Sequence, residues 1–168
     1  MIKFNARIWF FLGFVSCVLM LSVGAFFQFI MDLQPCPLCI SQRIAILFVG
    51  IIFLIAALHN PSETGVKVYA CLGAIAALIG ALVSGRHIWI QNMPKDQVPE
   101  CGPGLSYIFD NFPLIDTLKL MLNGTGECAE VLWEFLGLSI PGWTLVAFIM
   151  LGCLSLLQYS NMKRKQST

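Results

Sequence analysis

Charge is what this sequence lacks. Only 11% of its 168 residues are Asp, Glu, Lys or Arg, while 58% are hydrophobic. A soluble domain of this length carries about twice that charged fraction, so a soluble globular fold is excluded. Formal net charge is +1, which leaves no basic surplus for nucleic acid. The chain has no Gly-rich phosphate-binding loop, no internal repeat and no low-complexity segment. Its one C-x-x-C pair is followed by Ile40 rather than His, so covalent haem attachment is not indicated.

Long apolar runs are what the sequence does have. The first is Ile8 to Ile30, 23 residues without a charge. Lys3 and Arg7 precede it as in a signal peptide, but it exceeds the usual apolar core of about 7–15 residues. Its end, Ala25-Phe26-Phe27-Gln28, offers no small-x-small cleavage site, so an uncleaved span is expected. Further runs cover Ile40 to Leu58, Val68 to Ile90 and Ile140 to Tyr159. Each approaches the ~20 residues that cross a bilayer core. The expected fold is an all-α integral membrane protein: one domain over residues 1–168, a bundle of four transmembrane helices, with outer loops at about 31–39 and 91–139.

Basic residues set the orientation. Lys3 and Arg7 precede the first span, Lys67 lies between the second and third, and Lys163, Arg164 and Lys165 follow the fourth. With four spans these regions share one side, which is then cytoplasmic, and both termini lie there. The cysteine-bearing loops face outward, into the periplasm in a bacterium. The long outer loop holds seven of the nine acidic residues. In it Leu114, Ile115, Leu118, Met121 and Leu122 recur at helical spacing, with Asp116, Lys119 and Asn123 opposite. That pattern predicts a short amphipathic helix, lying on the membrane surface or packed on the loop's own core.

Seven cysteines are many for so apolar a chain. Cys17, Cys71 and Cys153 lie inside apolar runs, where free cysteine behaves as a small buried hydrophobe. Cys36, Cys39, Cys101 and Cys128 lie outside those runs or at their edge. Four loop cysteines suggest two disulfides in an oxidising compartment, Cys36–Cys39 and Cys101–Cys128. Pro35 and Pro37 disfavour helix before Cys39, so the second span is expected to start near Cys39. A thiol at a helix N-terminus faces unpaired N–H groups and the positive end of the dipole, which favours the thiolate. A C-x-x-C disulfide closes too short a loop to constrain much of the unfolded chain, which favours redox chemistry over stapling. Cys101 and Cys128 bracket 26 residues, each in Gly- and Pro-rich sequence that predicts exposed, mobile backbone. A bridge there is either an exchangeable, oxidising disulfide or a staple contributing about 3 kcal/mol.

Arg43 lies one helical turn beyond Cys39. It either snorkels to the headgroups or donates to a ligand carbonyl beside the dithiol. His87, near the outer end of the third span beside Arg86, either hydrogen-bonds a ligand oxygen or bonds a neighbouring loop.

These residues resemble the DsbB family of bacterial disulfide bond formation proteins. The likeness rests on four spans, Cys36-Pro37-Leu38-Cys39 heading the second, Arg43 four residues later, and a second cysteine pair in the long outer loop. The tract Gly126-Glu127-Cys128-Ala129-Glu130, then Trp133-Glu134-Phe135-Leu136-Gly137-Leu138, and Pro141-x-Trp143 extend it over nearly the whole chain. The resemblance implies an oxidase for a periplasmic, thioredoxin-like DsbA-type protein, with ubiquinone, or else menaquinone, as electron acceptor. It implies that Cys101 takes the partner's attack, Cys128 then engages Cys36, and Cys39 faces the quinone supported by Arg43, with His87 near that site. The chain departs at Gln42, where some members carry an acidic residue, and at the extra cation Arg86.

Three other readings compete. A vitamin K epoxide reductase-like protein would place its loop cysteines before the C-x-x-C pair, the reverse of the order here. A membrane protein with structural disulfides only would show slow, quinone-independent thiol reactivity. A four-cysteine zinc site lacks ribbon-like spacing and calls for free thiols in an oxidising compartment, so no metal is expected.

Overall fold

The structure, a computed structural model, describes residues 6–94, 97–98 and 113–166. Cys101 and the turn around it lie outside the described residues. Four helices among the described residues are long and apolar enough to cross a membrane: α1 (Ala6–Phe29), α2 (Pro37–His59), α3 (Glu63–Gln91) and the Ile140–Asn161 part of α5 (Ile140–Gln166). Between α3 and α5 come the short α4 (Leu114–Asn123), a 3-10 turn at Gly126–Ala129 and an antiparallel hairpin, β1 (Glu134–Phe135) with β2 (Leu138–Ser139). The expected four-helix membrane bundle is therefore present, and α4 occupies the segment expected to be an amphipathic helix.

Helix boundaries shift from the sequence expectation, and α5 runs past Tyr159 to Gln166. Helix α2 starts at Pro37, two residues ahead of Cys39, and Cys36 is its N-cap in extended conformation. Proline suits this first helical position because its missing N–H would have had no partner there. Helix α3 starts at Glu63, ahead of the apolar run, because Ser62 offers its carbonyl to the Val66 N–H at 2.9 Å. The hairpin has no counterpart in the sequence reading. Its turn residues Leu136 and Gly137 both have positive φ, 54° and 76°, as a two-residue primed turn requires.

Lipid is as apolar as the side chains, so close packing rather than water exclusion joins these helices. Small residues make the approaches. A Cβ at Gly80 would meet the Phe148 ring at 2.2 Å, and one at Gly13 would meet the Phe53 ring at 2.4 Å. Phe10, Phe53, Phe148, Ile46 and Val49 fill the interior, and the exterior is apolar. Ser16, Ser22 and Ser155 return their hydroxyls to carbonyls four residues back, which satisfies them where no water is at hand. Cys17 is buried against Gly50, as expected of a packing cysteine. Cys71 and Cys153 are instead exposed on the outer surface of the bundle. An apolar run fixes membrane depth but not which face a residue takes, so the expectation of burial fails for these two.

Candidate functional site

At one end of the bundle meet the N-terminus of α2, the last turns of α3 and the 3-10 turn. Cys36 caps α2 and Cys39 lies in its first turn, so both thiols sit at the helix start. Their sulfurs are 3.3 Å apart. His87, near the C-terminus of α3, brings Nε2 to 3.7 Å from Cys36 Sγ. Cys128 completes the group: its sulfur, that of Cys36 and the His87 ring lie within 4.8 Å of one another. No histidine lies in either cysteine loop, so only the fold brings this imidazole to the thiols.

Cys128 is fully buried. The Gly-rich sequence around it predicted exposed, mobile backbone, and the structure overturns that. Gly124, at φ +79°, lies so close to Leu38 and Ile90 that a Cβ there would meet each at 2.8 Å. The glycine lets the chain turn off α4 and lie directly on the ends of α2 and α3. Arg86 holds this connection. Its Nε donates to the Leu122 carbonyl and its Nη2 to the Asn123 carbonyl, both at 3.0 Å, which satisfies the open C-terminal end of α4. Ser41 adds a 3.3 Å bond to the Met121 carbonyl. The cation read from sequence as a departure thus clamps the segment that carries Cys128.

Burial and contact keep two of these thiols protonated. At Cys128 the hydrogen bond with Cys36 and then burial push the thiol far above its ordinary value. At Cys36 the hydrogen bond from Cys128 works downward, but the Cys39 contact and burial outweigh it and raise the thiol to about 12.

Arg43 does not reach outward to headgroups. It donates to Gln28 Oε1 and, at 2.9 Å, to the Gly24 carbonyl, both on α1. Its stem and Cys39 line a cavity of about 460 Å³ between α1, α2, α5 and the hairpin. Met20, Val23 and Phe27 form one apolar wall, and Trp133, Phe135 and Trp143 form the other. Trp133 stacks on Phe135 at 5.8 Å, and Trp143 Nε1 donates to the Phe135 carbonyl at 3.1 Å, so the hairpin is pinned over the cavity. Size, apolar walls and a few convergent polar groups match a small-molecule site. The Arg43 guanidinium in an otherwise mostly apolar wall suits an apolar ring bearing carbonyl oxygens. His87 does not line this cavity. A second crevice, of about 30 Å³, reaches Cys36, Cys39 and His87 past Glu127 and Glu130.

Among the described cysteines, only Cys39 lines the large cavity. Gln42 and Thr144 line it too, and neither was read from sequence as a site residue. Their signal was position: polar side chains near the ends of apolar spans, where lipid offers them no partner.

The family profile described as disulfide bond formation protein DsbB matches residues 6–158. Among curated proteins, a disulfide bond formation protein B of Nitrosococcus oceani is 58% identical over 156 residues, covering 93% of this chain and 92% of that protein. One of Methylococcus capsulatus is 56% identical over 160 residues, covering 95% and 98%. One of Saccharophagus degradans is 56% identical over 145 residues, covering 86% and 87%.

Proposed function

The chain belongs to the DsbB family of disulfide bond formation proteins, a family of disulfide-forming oxidoreductases, and from that membership we propose a relay of four cysteines from a soluble dithiol protein to membrane quinone. The donor is a periplasmic, thioredoxin-like protein of DsbA type. Its thiolate attacks Cys101 of a Cys101–Cys128 disulfide, and Cys128 leaves with the electron pair. The partner's second thiol then attacks the mixed disulfide, so the partner departs oxidised and Cys101 is left as a thiol. Cys128 attacks Cys36 of a Cys36–Cys39 disulfide, which releases Cys39 as a thiolate.

The observation that carries this reading is the division of surroundings along one helical turn. Cys36 has Cys128 within reach, and Cys39 has the cavity. A quinone bound there supplies a lipid-soluble acceptor for two electrons and two protons. Arg43 donates to its carbonyl oxygen from a side chain already held by α1, so little ordering is left to accomplish on binding. The aromatic hairpin and α1 exclude water from the ring. Ubiquinone is the expected acceptor, with menaquinone as the alternative. The basic residues Lys67, Lys163, Arg164 and Lys165 support cytoplasmic termini and periplasmic cysteine loops.

The test uses purified protein in detergent, a reduced DsbA-type protein and a soluble ubiquinone analogue, with quinone reduction and partner thiol loss followed together. One quinone reduced per partner disulfide formed, over many turnovers, is the expected result. Absence of quinone consumption, with a menaquinone analogue also tried, would defeat the proposal.

A further inference from the structure

Gln42 is almost fully buried, and its two contacts define a direction. Thr144 Oγ1 donates to Gln42 Oε1 at 2.7 Å. That turns the amide nitrogen toward His87, 3.1 Å from Nδ1. An amide nitrogen only donates, so Nδ1 accepts, and a neutral ring then carries its one proton on Nε2. Nε2 is the atom that faces Cys36 Sγ at 3.7 Å. Donors therefore run in one sense, from Thr144 on α5 through Gln42 on α2 to His87 on α3, whose ring N–H is shared between the Cys36 sulfur and the Cys128 backbone carbonyl.

We infer that Gln42 is a positioning residue: together with Thr144 it holds His87 as the Nε2–H tautomer, so that the ring donates to Cys36 when that sulfur is released as a thiolate. Such a release is part of the relay proposed above, on which this role rests. When Cys101 attacks Cys128 of a Cys36–Cys128 disulfide, a Cys101–Cys128 bond forms, the old S–S bond breaks, and its electron pair leaves on Cys36 Sγ. A leaving thiolate that is better stabilised leaves faster. Cys36 is buried, and its other close neighbours among the described residues are the thiols Cys39 and Cys128. The imidazole N–H adds a side-chain donor to the Cys39 backbone N–H that already favours its thiolate.

The Thr144 hydroxyl sets the direction. Of the two acceptors in reach of its single proton, Gln42 Oε1 at 2.7 Å is the nearer and the Pro141 carbonyl at 2.9 Å the farther, and Ser84 Oγ lies 3.3 Å from the same hydroxyl. Without a donor on Oε1, the Gln42 amide is free to turn over. Its oxygen then accepts from Nδ1–H, and Nε2 presents only a lone pair to the Cys36 sulfur.

NMR of isotope-labelled histidine nitrogens reads the tautomer directly. The chain has two histidines, and His59→Asn removes the other signal. The native ring is expected to be protonated at Nε2 and bare at Nδ1. Thr144→Val keeps the shape without the hydroxyl and is expected to mix the tautomers, while Thr144→Ser restores the native spectrum. In reduced protein, alkylation of Cys36 resolved by peptide mass spectrometry should slow about five- to tenfold in Gln42→Leu and Thr144→Val, the loss of one hydrogen bond, and recover in Thr144→Ser. A native ring protonated at Nδ1 or at both nitrogens, or a tautomer unmoved by Thr144→Val, overturns the inference. The ring spectrum does not depend on turnover, so an inactive native chain would defeat the relay and leave the ring assignment standing.

Discussion

Cys36 and Cys39 are three residues apart on one helix, yet they open on different surroundings. Around Cys36 the space is filled by Cys128, His87, Leu38 and Ile90, and the adjoining crevice has room for roughly one water. Beside Cys39 lies a cavity of about 460 Å³ with a guanidinium in its wall. A dithiol on one turn of helix has two faces, and this bundle gives one to the loop and the other to the membrane interior. On the proposed relay, that division would let one cysteine pair serve a soluble thiol and a lipid-dissolved acceptor from different sides.

The two sides can be perturbed separately. The largest contrast is on the Cys36 side. With its thiol raised to about 12 from an ordinary value of 9.0, Cys36 in fully reduced protein stays protonated where an unfolded cysteine has ionised. Its alkylation should therefore climb about tenfold per pH unit between those two values, about a thousandfold in all. A plateau near pH 9 would show that contact and burial do not hold this thiol. The sign for stability follows: the raised value favours the fold below about 9, and this contribution is lost as pH rises toward 12.

On the Cys39 side, Arg43→Leu removes a charged donor from the cavity wall. The KM for quinone should rise about 10- to 100-fold, with Cys36–Cys128 exchange unchanged. Arg43→Lys should recover only part, because an ammonium cannot reproduce the planar fork that reaches Gln28 and Gly24. Gly124→Ala acts on the other side. It strains a φ of +79° and meets Leu38 and Ile90, which should cost about 1–3 kcal/mol and slow exchange at Cys128 with the quinone KM kept. Arg86→Ala removes the exposed clamp on α4 and should slow the same exchange by about fivefold. A rise in quinone KM in either loop variant would break the separation of the two sides.

Much of this architecture was legible in the sequence, because apolar runs of span length report bilayer depth directly. The C-x-x-C pair and Arg43 were legible for a similar reason: they are local, within two turns of one helix. The meeting of Cys36, His87 and Cys128 was not, since 51 residues separate Cys36 from His87 and the pairing depends on how a loop crosses the bundle end. Gly124 misled for a related reason. A glycine that frees a mobile loop and one that lets backbone lie flat on a helix end look alike in sequence. Cys71 and Cys153 show the limit of composition, because nearly every face of a membrane helix is apolar and burial leaves no pattern to read. The hairpin strands are two residues each, too short for any periodicity.

The central claim is that Cys39 alone hands electrons to the cavity while Cys36 exchanges with Cys128. The most direct test is non-reducing peptide mapping of Cys39→Ser, with a reduced DsbA-type partner and a ubiquinone analogue both present. The account predicts that the partner reduces the Cys101–Cys128 disulfide once, that Cys36 and Cys128 are then recovered as free thiols because Cys128 has no Cys36–Cys39 disulfide to attack, and that no quinone is reduced. Continued quinone reduction without the Cys39 thiol would contradict it.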